Sequence, residues 1–247
     1  MTNIQNELGV QSYCFRQFPA HTDVARLARK IGVSVVEICS AHVDFDRPET
    51  FEAAIEVYRS ADIKIVSIGV ERIGTDEAAT RKRFEFVQRC GARFMSVDFP
   101  PDDAEQCFRM AEKLGDEYNV KLAIHNHGGR HWLGNSQMLA WVFGKTSQRI
   151  GLCLDTAWAL DAREDPIKMA ERFADRLYGI HIKDFTFDRA GKPTDAVVGK
   201  GNLALSTLCE TLKQAHYDGY AVLEYEGDAD NPVPALTQCV DAVKHDG

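Results

Sequence analysis

A chain of 247 residues is long enough for two average domains and equally for one α/β barrel, so the order of its elements has to decide between them. Hydrophobic residues at 45% and charged residues at 27% exclude a disordered chain, and a net charge of −8 with no Lys/Arg-rich run excludes a general phosphate-backbone binder, which makes nucleic acid a poor partner. No apolar run approaches the length of a bilayer span, MTNIQNEL lacks the basic and apolar regions of a leader, and the seven cysteines form no CxxC pair, so reduced thiols, no membrane and a cytoplasmic address are expected.

Apolar runs bounded by turn residues predict eight strands, over residues 8–15, 33–39, 63–70, 93–99, 120–126, 150–155, 177–184 and 219–226. The first helix is expected to start at Thr22 or Asp23, before VARLARKIG, and to stop at Gly32. The same grammar recurs in RPETFEAAIEVYRSA, TDEAATRKRFEFVQRCG, PDDAEQCFRMAEKLGDEY, NSQMLAWVFG, DPIKMAERFADR, LALSTLCETLKQAHYDG and PVPALTQCVDAVK, where apolar residues fall at helical spacing, often with Gly after them or Asp or Pro before. Strand then helix, eight times over, predicts a parallel sheet closed into a single (β/α)8 TIM barrel; no Pro/Ser-rich linker interrupts it, so residues 1–247 read as one domain.

Barrel active sites lie at the C-terminal ends of the strands. Those ends carry Glu37 with His42, Glu71, Asp98, the run His125, Asn126 and His127, Asp155 with Trp158, the run His181, Lys183 and Asp184, and Glu224 with Glu226. His125, Asp155, His181 and Glu224 hold matching positions in consecutive units, and their convergence on one rim predicts a divalent-metal site. Two imidazoles and two carboxylates suit Mn²⁺ first, then Co²⁺, Fe²⁺ or Zn²⁺, and Mg²⁺ less well. A cation held there supports removal of a proton next to a carbonyl, with Glu224 as ligand and base and His125 as a base in its own right if it is not a ligand. Alternation along a strand pairs His125 with His127 and Glu224 with Glu226 on one face, so His127 and Glu226 are candidates to shuttle protons. Glu37, Lys183, Trp158 and Glu226 are the candidate substrate contacts, Lys183 as a point charge and Trp158, with Trp132 and Phe185, as an apolar wall for a sugar ring. His42 reads as a solvated loop residue and Asp98 as a loop pin; Gly199, Lys200 and Gly201 read as a tight loop with Asn202 capping the next helix.

The segments VKLAIHNHGG, GLCLDTAWAL, GIHIKDF, GKGNL and VLEYEGD resemble the xylose-isomerase-like TIM barrel superfamily, the sugar phosphate isomerase/epimerase family, which also contains inosose dehydratases, hydroxypyruvate isomerases and endonuclease IV. GVQSYCFR and VVEICSAH look like the family's opening. Members usually bind one metal through Glu, Asp, His and Glu at the ends of strands five to eight; Asp155, His181 and Glu224 match the last three, and His125 stands where the first Glu is expected. Trp158 replaces a His that several members carry, which speaks against a phosphate, trinuclear-zinc or endonuclease reading. The resemblance implies a metal-dependent isomerase or epimerase that abstracts a proton α to the carbonyl of a keto-sugar through a metal-stabilised enediolate. The alternative is a lyase or hydratase on 3-keto-glycosides, where the same proton removal is followed by loss of a leaving group. A barrel that keeps the metal only for structure or sugar binding is the non-enzymatic reading. The expected partner is a small-molecule sugar or keto-glycoside, with a homodimer as the expected assembly.

Overall fold

The computed structural model describes Ile4 and residues 7–246. Runs rich in Val, Ile and Leu form the strands β1 (Gly9–Gln11), β2 (Val35–Ile38), β3 (Lys64–Arg72), β4 (Phe94–Asp98), β5 (Lys121–His125), β6 (Ile150–Asp155) and β7 (Leu177–Ile182). A hairpin of β8 (Asp184–Phe187) and β9 (Pro193–Ala196) follows, and β10 (Tyr220–Leu223) is the last strand. Strands β1 to β7 and β10 pair in parallel, and β1 contacts both β2 and β10, which closes an eight-stranded barrel. Around it lie α1 (His21–Lys30), α2 (Phe51–Ser60), α3 (Glu77–Cys90), α4 (Ala104–Tyr118), α5 (Ser136–Lys145), α6 (Thr156–Asp161), α7 (Pro166–Arg172), α8 (Leu205–Gln214) and α9 (Val233–Asp246). The predicted (β/α)8 barrel is therefore the observed fold. Among the described residues, no helix is long and apolar enough to cross a membrane.

Four local expectations need correction. Strand β1 stops at Gln11 and runs on into a 3-10 turn over Ser12–Phe15, because the Gln11 side chain accepts the Tyr13 N–H and turns the chain away from its neighbours. The predicted strand 177–184 is broken at Lys183, and its tail belongs to the separate β8–β9 hairpin. Helix α1 begins at His21, ahead of Thr22 and Asp23, with no side-chain cap. Asn202 caps nothing, since α8 starts at Leu205.

Helices and strands enclose the main core, while Val35, Val66, Ala123, Cys153, Tyr178, Tyr220 and Val222 form a separate buried cluster of barrel-strand side chains. That cluster leaves no room at Gly179, where a Cβ would stand 2.3 Å from the Tyr220 ring. Register then places the chemistry: Asp155 lies opposite His181, Val222 opposite His181 on the other side, and Gln11 opposite Glu37.

The long connection after β7 is held by one carboxylate. Asp184 is buried and accepts the backbone N–H groups of Gly199 (3.0 Å), Gly201 (2.8 Å), Asn202 (2.8 Å) and Leu203 (2.9 Å). Hydrogen bonds to a charged group contribute about 1.5–3 kcal/mol each, and four sharing one acceptor contribute less than their sum. Asp184→Ala is expected to lower the unfolding free energy by about 3 kcal/mol or more in urea titration; a loss below about 1 kcal/mol would show that the loop holds its shape without the carboxylate.

Candidate active site

The C-terminal rim of strands β5, β6 and β7 and the residue after β10 bring His125, Asp155, His181 and Glu224 together, all buried, each offering one ligand atom within 4.8 Å of the others. Asp155 divides its carboxylate between two tasks. Its Oδ1 accepts the Trp158 N–H at 2.7 Å and caps α6, while Oδ2 is buried without a hydrogen-bond partner and lies 3.5 Å from His125 Nε2. Asn126 fixes the backbone beneath it, giving its Nδ2–H to the Asp155 carbonyl (2.9 Å) and accepting the Asp155 N–H (2.8 Å). Both nitrogens of His125 are likewise buried and unpartnered, with Nε2 3.9 Å from Glu224 Oε2. Buried polar atoms left unpaired cost folding free energy, so their clustering marks a place built for something else to fill.

His181 is oriented from both sides. Its Nε2 lies 2.8 Å from Glu37 Oε1 and its Nδ1 3.1 Å from Glu224 Oε2. Glu37 has no exposure and also accepts from Gln11 Nε2 (2.5 Å) and Ser96 Oγ (3.1 Å). Burial alone would push the Glu37 carboxyl up, but the His181 charge and hydrogen bond outweigh it and hold it below its ordinary value. Burial pulls His181 down; Cys153, Glu37 and Glu224 reverse this and leave it well above its ordinary value. Burial likewise opposes ionisation of Glu224, yet Lys183 and His181 hold its pKa well down. The cluster thus gathers positive charge onto an imidazole where two carboxylates demand it. A divalent cation answers the same demand, and it also satisfies Asp155 Oδ2 and His125 Nε2; the donor set of two imidazoles and two carboxylates fits such an ion.

Lys183 is the buried cation of the rim, 1% exposed. Its ammonium group bonds to Glu226 Oε1, stands 3.9 Å from Glu224 Oε2, and lies over the Trp158 and Phe185 rings at 5.2 and 5.5 Å. Burial would discharge it, but Glu224, Asp155 and Glu226 keep its pKa above the ordinary value. Above these residues opens a cavity of about 280 Å³, lined among others by Gln11, Tyr13, His125, His127, Trp158, Glu224 and Glu226. The Trp158 ring stands edge-on to Phe185 at 5.1 Å and forms part of one wall. His127 packs on His125 at 4.5 Å between ring centroids; burial, then the charges of His125 and His131, push its pKa down to about 3. Asp98, His127 and His131 bring their own ligand atoms within 4.8 Å of one another beside it.

The fold and the cluster together define a TIM barrel whose rim carries four side chains that could hold a metal ion. Residues 25–244 match the family described as xylose isomerase-like TIM barrel, and the chain belongs to that family. It is 28% identical over 194 residues to a 3-oxo-isoapionate decarboxylase of Pectobacterium atrosepticum, covering 74% of this chain and 69% of the relative. It is 24% identical over 147 residues to an inosose dehydratase of Lacticaseibacillus casei, covering 53% of this chain and 49% of the relative. The chain thus spans about half the length of that dehydratase, and 42% of the rhizopine catabolism protein MocC of Rhizobium meliloti, to which it is 27% identical over 139 residues. Among solved structures, the IolI protein with a bound zinc atom has a TM-score of 0.75 at 14% identity, covering 97% of this chain and 98% of that one.

Several shortlisted residues stand apart from the cluster. His42 is tied to Ser12 Oγ (3.2 Å) and the Phe15 carbonyl (3.3 Å) and is half-buried, so it is not the solvated loop residue expected. Trp132 donates to the Phe99 carbonyl at 2.8 Å and packs against the main core, away from the wall expected of it. Asp98 faces His131 Nε2 at 3.3 Å. Gln11 and Ser96, which hold Glu37, are short or neutral polar residues inside apolar runs, and only their position near strand ends could have marked them. Glu71 is buried against Arg83 at 3.0 Å, and burial pushes its carboxyl up to about 7 against the pull of that arginine. A carboxyl that holds its proton more tightly when folded stabilises the fold at low pH, and the contribution is lost as pH rises from 4.5 through about 7. Glu71→Gln, which does not titrate, is expected to remove part of the decline in unfolding free energy across that window; an unchanged pH profile would show that Glu71 does not set it.

Proposed function

We propose that this chain removes the proton α to the carbonyl of a keto-sugar or keto-polyol, with His125, Asp155, His181 and Glu224 as ligands of one divalent cation. The observation that carries this is the convergence of the unpartnered Asp155 Oδ2 and His125 Nε2 with His181 and Glu224 at the base of a cavity of about 280 Å³. Manganese is the first candidate, and the zinc in the similarly folded IolI supports a divalent ion in general. When bound, such an ion supplies Lewis acidity to a substrate oxygen and so acidifies the neighbouring C–H.

The protein groups divide the remaining work. Glu224 lines the cavity, is held ionised by Lys183 and His181, and takes the proton. Glu226, bonded to Lys183, is placed to pass a proton onward. Trp158 and Tyr13 form cavity wall against which a ring packs. Glu37 is assigned the orientation of His181, since it is fully buried behind that ring; this replaces the substrate contact expected from its position at a strand end.

The fate of the carbanion follows from which side the bases occupy. Epimerisation needs an acceptor on each face of the substrate, yet Glu224 and Glu226, the carboxylates lining the cavity, come from one segment. Elimination needs only one face: Glu224 takes the proton, the C–O bond breaks, and the same proton, given back by Glu224 directly or through Glu226, goes to the departing oxygen, so that water or an alcohol leaves and both carboxylates are restored. The dehydratase among the relatives supports this outcome. Isomerisation, with the proton returned on the same face, is the second reading.

Elemental analysis is expected to find about one divalent ion per chain, absent from His181→Ala and Glu224→Ala, and solvent deuterium is expected to enter the α-carbon of keto-sugars only in the metal-replete protein. Protein that takes up no ion and exchanges no α-proton would sink the proposal. Glu37→Gln is expected to weaken metal affinity by roughly 10–100-fold in a chelator competition while the fold is retained. Unchanged affinity would leave Glu37 a purely structural group.

A further inference from the structure

We infer that the substrate is a neutral polyhydroxy ketone, carrying neither phosphate nor carboxylate. The inference rests on the proton-abstraction reading above and names the substrate class of that same site. In barrel enzymes a phosphate is most often held by backbone N–H groups of the loops after the seventh and eighth strands. Here the connection after β7 has that arrangement, but it is already filled. The N–H groups of Gly199, Gly201, Asn202 and Leu203 converge at 2.8–3.0 Å on the buried carboxylate of Asp184. A phosphate arriving there would meet a negative charge and no free donor among these four groups. The connection after β10 presents Glu226, a second carboxylate, to the cavity.

Charge balance at the rim points the same way. A divalent cation and Lys183 bring three positive charges, and Glu37, Asp155, Glu224 and Glu226 bring four negative ones, with neutral imidazoles as ligands. Among these groups no positive charge is left over for an anionic substrate; Arg16, the next cation, gives its N–H groups to the Tyr13 and Glu226 carbonyls and lies over the Tyr13 ring. Lys183 is the cation nearest the reacting groups, and Glu226 occupies its ammonium from the cavity side. Glu226 is therefore the residue that sets the preference: it is 30% exposed on its side chain and stands between the cation and an incoming substrate.

The test compares matched ligands that differ only in charge: methyl 3-keto-glucoside, its 6-phosphate and the corresponding methyl 3-keto-glucuronide, together with D-fructose and its 6-phosphate. Binding is measured by calorimetry and α-proton exchange by NMR in deuterated water. The neutral member of each set is expected to bind and exchange at least about tenfold better than its anionic counterparts. In Glu226→Gln, which frees the Lys183 charge, the ratio of anion to neutral affinity is expected to rise about tenfold. An anion that binds as well as its neutral partner, or a ratio unmoved by Glu226→Gln, overturns the inference while α-proton exchange still stands. Absence of exchange with every compound, in protein that carries its metal, counts instead against the proton-abstraction reading, and the inference falls with it.

Discussion

The rest of the site depends on one chain of alternating charges buried at the barrel mouth: Glu37, His181, Glu224, Lys183, Glu226. Glu37, His181, Glu224 and Lys183 would not stay ionised at such burial alone, because desolvation costs several kcal/mol per ion. Each is held by its neighbours, and the shifts of Glu37, His181, Glu224 and Lys183 all run opposite to what burial would impose. The chain fixes positions as well as charges. A carboxylate between two cations has little freedom to rotate, and an imidazole gripped at both nitrogens has none to spare. Breaking one member would strand the others, which is why the network is rigid enough to serve as a preformed site.

The fold supplies that network cheaply. Parallel register sets Asp155 beside His181, and β10 lies along β7, so residues far apart in sequence arrive on one rim without any special loop. Asp155 shows how a structural habit becomes a functional one: a carboxylate at a helix start ordinarily caps it, and here one oxygen does so while the other is left bare and buried. Asn126 replaces a missing rung between β5 and β6 at that level, so the bare oxygen sits on a backbone that cannot relax to satisfy it.

The barrel and its four candidate ligands were legible because both rest on local pattern. Each strand is an apolar run, each helix has a period, and His125, Asp155, His181 and Glu224 fall where the runs end. What was not legible depends on pairings across the chain. Glu37 looked like any strand-end carboxylate, and its role emerges only from a partner 144 residues away. Lys183 looked like a continuation of its strand; the break after Ile182 and the β8–β9 hairpin rest on four-residue strands too short for alternation to distinguish from loop. Asn202 looked like a cap because Asn before an apolar run commonly is one, but its N–H is taken by Asp184, from 18 residues earlier.

Asp184 also bears on how the loops at the mouth of the barrel are used. The architecture offers a ring of backbone donors at the mouth of the barrel, and related barrels are free to use it for a substrate anion. In this chain the donors serve the connection after β7, which carries the hairpin and leads into α8. A loop that needs its own carboxylate to stay folded cannot release it to admit a phosphate without losing the geometry that would bind the phosphate. Ordering of the loop and exclusion of anions are then one interaction seen from two sides. The same holds for Lys183, whose charge balances Glu224 and Glu226 and is thereby withheld from the cavity. Specificity at this rim follows from which buried charges the protein has already matched with its own.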